Sequence, residues 1–122
     1  MTERITITLP LPDKGLSANA RLHWGKKHKL TKMARELAFY TARAAGVQHQ
    51  QWEKASYTAT FYHNINRVRD IDGAIYLLKA YLDGIVQAGL LVNDSGLTYP
   101  VVKIVVDKNC EECVVLDFKE IK

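Results

Sequence analysis

Lys54-Ala55-Ser56-Tyr57-Thr58-Ala59-Thr60-Phe61-Tyr62-His63 alternates small or apolar residues with polar ones. Asp72-Gly73-Ala74-Ile75-Tyr76-Leu77-Leu78-Lys79-Ala80-Tyr81-Leu82-Asp83-Gly84-Ile85-Val86-Gln87-Ala88-Gly89 follows after a short polar connection and has a different period. The first stretch predicts a strand with Tyr57, Ala59 and Phe61 on one face. The second predicts a helix to about Ala88, carried by Ile75, Leu78, Leu82, Ile85 and Val86 and stopped by Gly89. Asp72 is its natural N-cap, because its carboxylate accepts from a free amide of the first turn.

Upstream, Ile5, Ile7 and Leu9 alternate with threonines, a half-buried strand ended by Pro10 and Pro12. Residues 13 to about 24 read as loop. From about Lys29, the residues Leu30, Met33, Ala34, Leu37, Ala38, Thr41, Ala44 and Ala45 predict a helix stopped by Gly46. Downstream, Val101 to Asp107 and Val114 to Ile121 predict two strands, with Asn109-Cys110-Glu111-Glu112 as a hairpin connection. The expectation is one α+β domain over residues 1–122, in the order β-α-β-α-β-β. Its sheet is mixed and mostly antiparallel, with two main helices packed on it.

The 122 residues suffice to bury a core, and 48% hydrophobic with 25% charged residues is ordinary globular composition. No apolar run reaches the roughly 18–20 residues that span a bilayer, and the alternating N-terminus is unlike a signal peptide. A cytoplasmic, membrane-free protein is therefore expected. The net charge of +4 is unevenly spread: from Lys14 to Arg35 there are seven Lys or Arg residues and no Asp or Glu. Lys26, Lys27, Lys29 and Lys32 lie there among His23, Trp24 and His28, a pattern suited to a polyanion because neutralised phosphates release counterions. The plainer reading is a solvated helix face.

Arg67-Val68-Arg69-Asp70-Ile71-Asp72-Gly73 is poor core material and good material for holding a hard cation beside a phosphate. Such cations take oxygen ligands and keep several waters, so two or three carboxylates suffice. In an extended stretch Asp70 and Asp72 point to one side. Lys79 lies two helical turns beyond Asp72, with Asp83 at i+4 from it. Asp94 is a third candidate ligand, but a helix of about 24 Å separates it from Asp72, and the five-residue return from Gly89 spans only about 16 Å. It joins the site if the helix bends or if it comes from a second protomer. Singly, each residue has a simpler role: Asp72 as a helix cap, Asp70 in a surface ion pair with Arg67 or Arg69, and Lys79 on an amphipathic flank. Together, two adjacent carboxylates repel unless something cationic lies between them.

At this constellation the chain resembles the RusA family of Holliday junction resolvases, in particular its short phage-type members. The resemblance is carried by Asp70-Ile71-Asp72-Gly73, Lys79, Asp83-Gly84-Ile85-Val86-Gln87-Ala88-Gly89 and Asn93-Asp94-Ser95. Leu9-Pro10-Leu11-Pro12 and Asn19-Ala20-Arg21-Leu22-His23-Trp24 add to it. It departs from the family pattern at Gly73, where Asn is usual, and at Asn93, where the first Asp of a pair is usual. The resemblance implies a RusA-like fold and a homodimeric endonuclease, dependent on Mg²⁺ with Mn²⁺ as a substitute. Such an enzyme resolves four-way DNA junctions by paired cuts in opposed strands, in recombination and repair within a bacterial or phage-infected cell. By position, Asp70, Asp72 and Asp94 match the acidic metal ligands and Lys79 the catalytic lysine. The basic segment, with Arg21, Lys26, Lys27, Lys29 and Lys32, would hold the junction arms, joined by Arg67 and Arg69.

The alternative from another class is a basic module that binds branched or single-stranded nucleic acid without cutting it. A haloacid dehalogenase phosphatase opening fails, since the residues before Asp70 are too polar for its buried strand and Ala74 takes the Thr position. An EF-hand fails because Ala74 and Tyr81 replace ligands. Cys110-Glu111-Glu112-Cys113 has zinc-ligand spacing but lacks the second pair that a structural site needs, and reads as two reduced thiols.

Overall fold

In the computed structural model, described over residues 4–13, 16, 23–65, 71–98 and 100–121 (for Ile71, Asp72 and Asp94 the backbone alone), both periods appear where the alternation and the helical spacing put them. Strand β1 is Arg4–Leu9, helix α1 Trp24–Ala44 and strand β2 Ala55–His63. Helices α2 (Ile71–Leu77) and α3 (Lys79–Gln87) follow, then strands β3 (Val101–Val106) and β4 (Cys113–Glu120). The four strands form one mixed sheet in the order β1-β4-β2-β3. The β1–β4 and β2–β4 pairs are antiparallel and the β2–β3 pair is parallel. The fold is thus α+β, with a mixed, mostly antiparallel sheet and two main helical segments.

The alternation in β2 buries Ala55, Tyr57, Ala59 and Phe61. Their neighbours Phe118, Leu116 and Val114 on β4 are fully buried, as are Ile7 and Leu9 on β1. The helices close this layer with Ala38 and Ala42 of α1 and Leu78, Tyr81 and Ile85 of the α2–α3 segment. The small residues let the two helical segments approach closely: a methyl group on Gly84 would collide with the carbonyl oxygen of Arg35. Both expected glycine stops are helix ends in left-handed conformation, Gly46 at φ 85° and Gly89 at φ 116°.

Four expectations need correction. Helix α1 begins at Trp24, five residues before Lys29, because apolar periodicity is blind to a polar first turn. His23 caps it: its Nδ1 accepts from the Gly25 amide at 3.2 Å, and its carbonyl accepts from the Lys26 and Lys27 amides. The second helix is interrupted at Leu78, whose amide bonds back to Ile75 at 3.1 Å in a tighter turn. Leu78 keeps helical angles (φ −78°, ψ −13°), so the interruption is a step and not a sharp bend. Asp72 lies inside α2, which starts at Ile71, and does not precede it. Finally, residues 109–112 do not close a hairpin. Strands β3 and β4 flank β2 on opposite sides, and their connection crosses the end of β2, where Glu112 lies 3.7 Å from His63 and accepts from the Asn64 amide at 3.3 Å. A run with turn residues looks the same in sequence whether it returns to its own neighbour or passes over a strand.

Candidate nucleic-acid and metal site

Direction along the sheet decides what meets what. Strands β1, β2 and β3 all point the same way, since β4 runs against both β1 and β2. Helices α1 and α2–α3 run back side by side. Near their starts, the Lys27 ammonium lies 6.0 Å from the centre of the Tyr76 ring. Midway, Gly84 abuts Arg35 and Phe39, and at their ends Gly89 abuts Gln48. The beginnings of both helical segments therefore gather at the carboxyl ends of the parallel strands. In open sheets with helical crossovers, this is where ligands bind.

A hollow of ≈190 Å³ opens there between the two segments. Lys27 and Thr31 line it from α1, and Tyr76, Lys79 and Asp83 from α2–α3, over a floor that includes Leu16. Lys79 opens α3 with its side chain 74% exposed, its ammonium 3.8 Å from Asp83. A pair so exposed contributes little to stability, and the ammonium can turn towards an anion. On α1, Lys26, Lys29 and Lys32 are exposed and Lys27 is half-buried. No acidic residue stands in the first turn of α1 to offset this charge. The lysines lie at the positive end of the helix dipole, so their charges add to it and the start of the helix attracts anions.

The candidate ligands divide. The Asp72 backbone lies in the first turn of α2, one turn before Tyr76. Asp94 opens a short 3-10 turn, Asp94–Gly96, at the opposite end of the molecule. That end is pinned: Gln51 and Trp52 donate to the carbonyls of Gly89 and Leu90, Val92 donates back to Trp52, and Leu97 bridges Ala55. Within one chain the α2–α3 segment thus keeps Asp94 away from the start of α2. Asp70, Arg21, Arg67 and Arg69 lie outside the described residues. Among the described residues, no three His, Cys, Asp or Glu side chains gather closely enough to hold a metal. Cys110 and Cys113 are free thiols. Burial, then Cys110 and Glu111, push the Cys113 thiol up, which favours the thiol over the thiolate. Among the described residues no helix is long and apolar enough to cross a membrane.

Residue-by-residue reading missed the two further polar side chains of the hollow, Thr31 and Tyr76. Tyr76 had a signal: it stands four residues after Asp72 and three before Lys79, on their face of the helix. An aromatic at helical spacing otherwise reads as core, and Tyr76 is 45% exposed.

No family model matches the chain. It is 32% identical, over 106 residues, to an uncharacterized protein of Xylella fastidiosa (strain Temecula1). The match takes in 80% of this chain and 66% of that protein, so the chain spans just under two thirds of its relative's length.

Proposed function

We propose that the chain is a divalent-metal-dependent endonuclease of the RusA type, acting as a homodimer on four-way DNA junctions. The observation that carries this reading is the meeting of the basic start of α1 with the Asp72-to-Lys79 stretch across one hollow. In such a site Asp70 and Asp72 would hold Mg²⁺ or Mn²⁺. The donor set fits, because Mg²⁺ is commonly held by one or two carboxylates together with substrate phosphates and water. The metal, when bound, polarises the phosphodiester and lowers the pKa of a coordinated water. Lys26, Lys27, Lys29 and Lys32 neutralise strand phosphates and fix the register of the DNA. Lys79 stabilises the charge that develops on the phosphoryl oxygens. Asp94, held at the far end of its own chain, contributes from a second protomer.

The test is cleavage of a synthetic four-way junction with Mg²⁺. Wild type should cut, and Asp72→Asn should lose cutting by at least about 100-fold, the scale of losing a catalytic contact, while its junction affinity in EDTA is kept. Equal cutting by both proteins would sink the site. Tight junction binding without cutting by wild type would instead favour the non-catalytic binding module.

A further inference from the structure

We propose that Tyr76 and Lys27 form a stacking platform for one unpaired nucleobase, so that the site selects DNA with an unstacked base beside the strand it holds. The proposal rests on the nucleic-acid reading above. It goes beyond it by naming the feature of the DNA that is recognised and the residue that recognises it.

Three observations converge. Tyr76 is not packing material: Leu78 beside it is fully buried, whereas Tyr76 keeps 45% of its surface exposed. Its ring has the Lys27 ammonium 6.0 Å from its centre, at the outer edge of cation–π range, so its surroundings are aromatic and cationic together. Thirdly, the hollow it lines also carries Thr31 and Lys79, a hydroxyl and a second ammonium. An exposed ring among lysines is the chemistry by which proteins hold single strands, the ring taking a base and the cations its phosphates.

Size and charge narrow the ligand. At ≈190 Å³ the hollow is smaller than the roughly 300–1,000 Å³ of pockets that enclose a drug-sized ligand. It suits one ring, with the sugar and phosphate left at the rim. Bases within a duplex show only their edges, so a paired base cannot lie on the platform. Asp83 lines the hollow 3.8 Å from the Lys79 ammonium, so a phosphate at the rim competes with Asp83 for Lys79. A branch point, bulge or gap supplies the unstacked base.

The test uses the full chain in EDTA and two end-labelled DNAs: a continuous duplex, and the same duplex bearing one unpaired 2-aminopurine. Wild type should bind the bulged DNA about tenfold tighter than the duplex, the scale of one stacking contact, and should quench the 2-aminopurine. Tyr76→Ala should lose the preference and the quenching while binding the duplex as wild type does; Tyr76→Phe should keep both. A preference that survives in Tyr76→Ala, or is lost in Tyr76→Phe, overturns the platform. Cleavage separates this from the nuclease reading. Tyr76-dependent quenching in a protein that never cuts leaves the platform standing and the nuclease refuted. Cutting with a preference indifferent to Tyr76 refutes the platform alone. Failure to bind either DNA refutes both.

Discussion

Tyr81 is 3% exposed, and its hydroxyl donates to the Pro10 carbonyl at 2.8 Å, tying α3 to the chain just beyond β1. Tyr81→Phe removes that bond between α3 and the Pro10 carbonyl, so it should cost about 1 kcal/mol in urea unfolding. Burial first, then the Asp13 carboxylate, hold the Tyr81 phenol above its ordinary value of 10.0. The folded state therefore resists ionisation that the unfolded chain accepts. This contribution is fully present below pH 10 and is lost as pH rises through the folded value. Wild-type stability should fall more steeply above pH 10 than that of Tyr81→Phe; parallel curves would contradict the assignment. Burial likewise holds the Tyr57 phenol above its ordinary value, which adds to the fall in the same direction. At this scale the sequence was legible for Lys79, whose place follows from helical spacing alone. It was not legible for Tyr76 or Tyr81. Two tyrosines five residues apart on a helical run look alike until a neighbouring helix covers one of them.

Among the elements, the junction of α1 with α3 depends on an absent side chain. Helical propensity favours Ala over Gly by about 1 kcal/mol. A methyl at position 84, however, would meet the backbone of α1 at Arg35 and Phe39, which cannot rotate away. Gly84→Ala should therefore destabilise by about 1–3 kcal/mol, measured as a lowered denaturant midpoint with unchanged slope. A stabilised variant would mean that the helices are not packed this closely. The helix stops at Gly46 and Gly89 and the buried face of β2 were readable because each is a local pattern. The start of α1 was not, since a histidine cap stands outside the usual Ser, Thr, Asp and Asn signals. Nor was the step at Leu78, a buried leucine that fits a continuous apolar stripe as well as an interrupted one.

At the scale of the molecule, the sheet order places the beginnings of both helical segments at one end and the Asp94–Gly96 turn at the other. If Asp94 serves the metal site from a second protomer, two inactive proteins should rescue each other. Mixing Asp72→Asn with Asp94→Asn under subunit exchange should restore nicking to about a quarter of wild type, because half the dimers are mixed and each carries one intact site. No rescue, with Asp94→Asn itself inactive, would place all ligands in one chain. The sequence by itself determined the α+β class, the strand and helix faces, the concentration of lysines before Arg35 and the spacing of Asp72, Lys79 and Asp83. These are properties of near neighbours along the chain, written in periods of two and 3.6 residues. Only the tertiary structure decided that β4 inserts between β1 and β2, that Tyr76 meets Lys27 across two helical segments, and that Asp94 is held away from the start of α2. Those facts depend on which buried surfaces pair across long separations, and local periodicity carries no record of that choice.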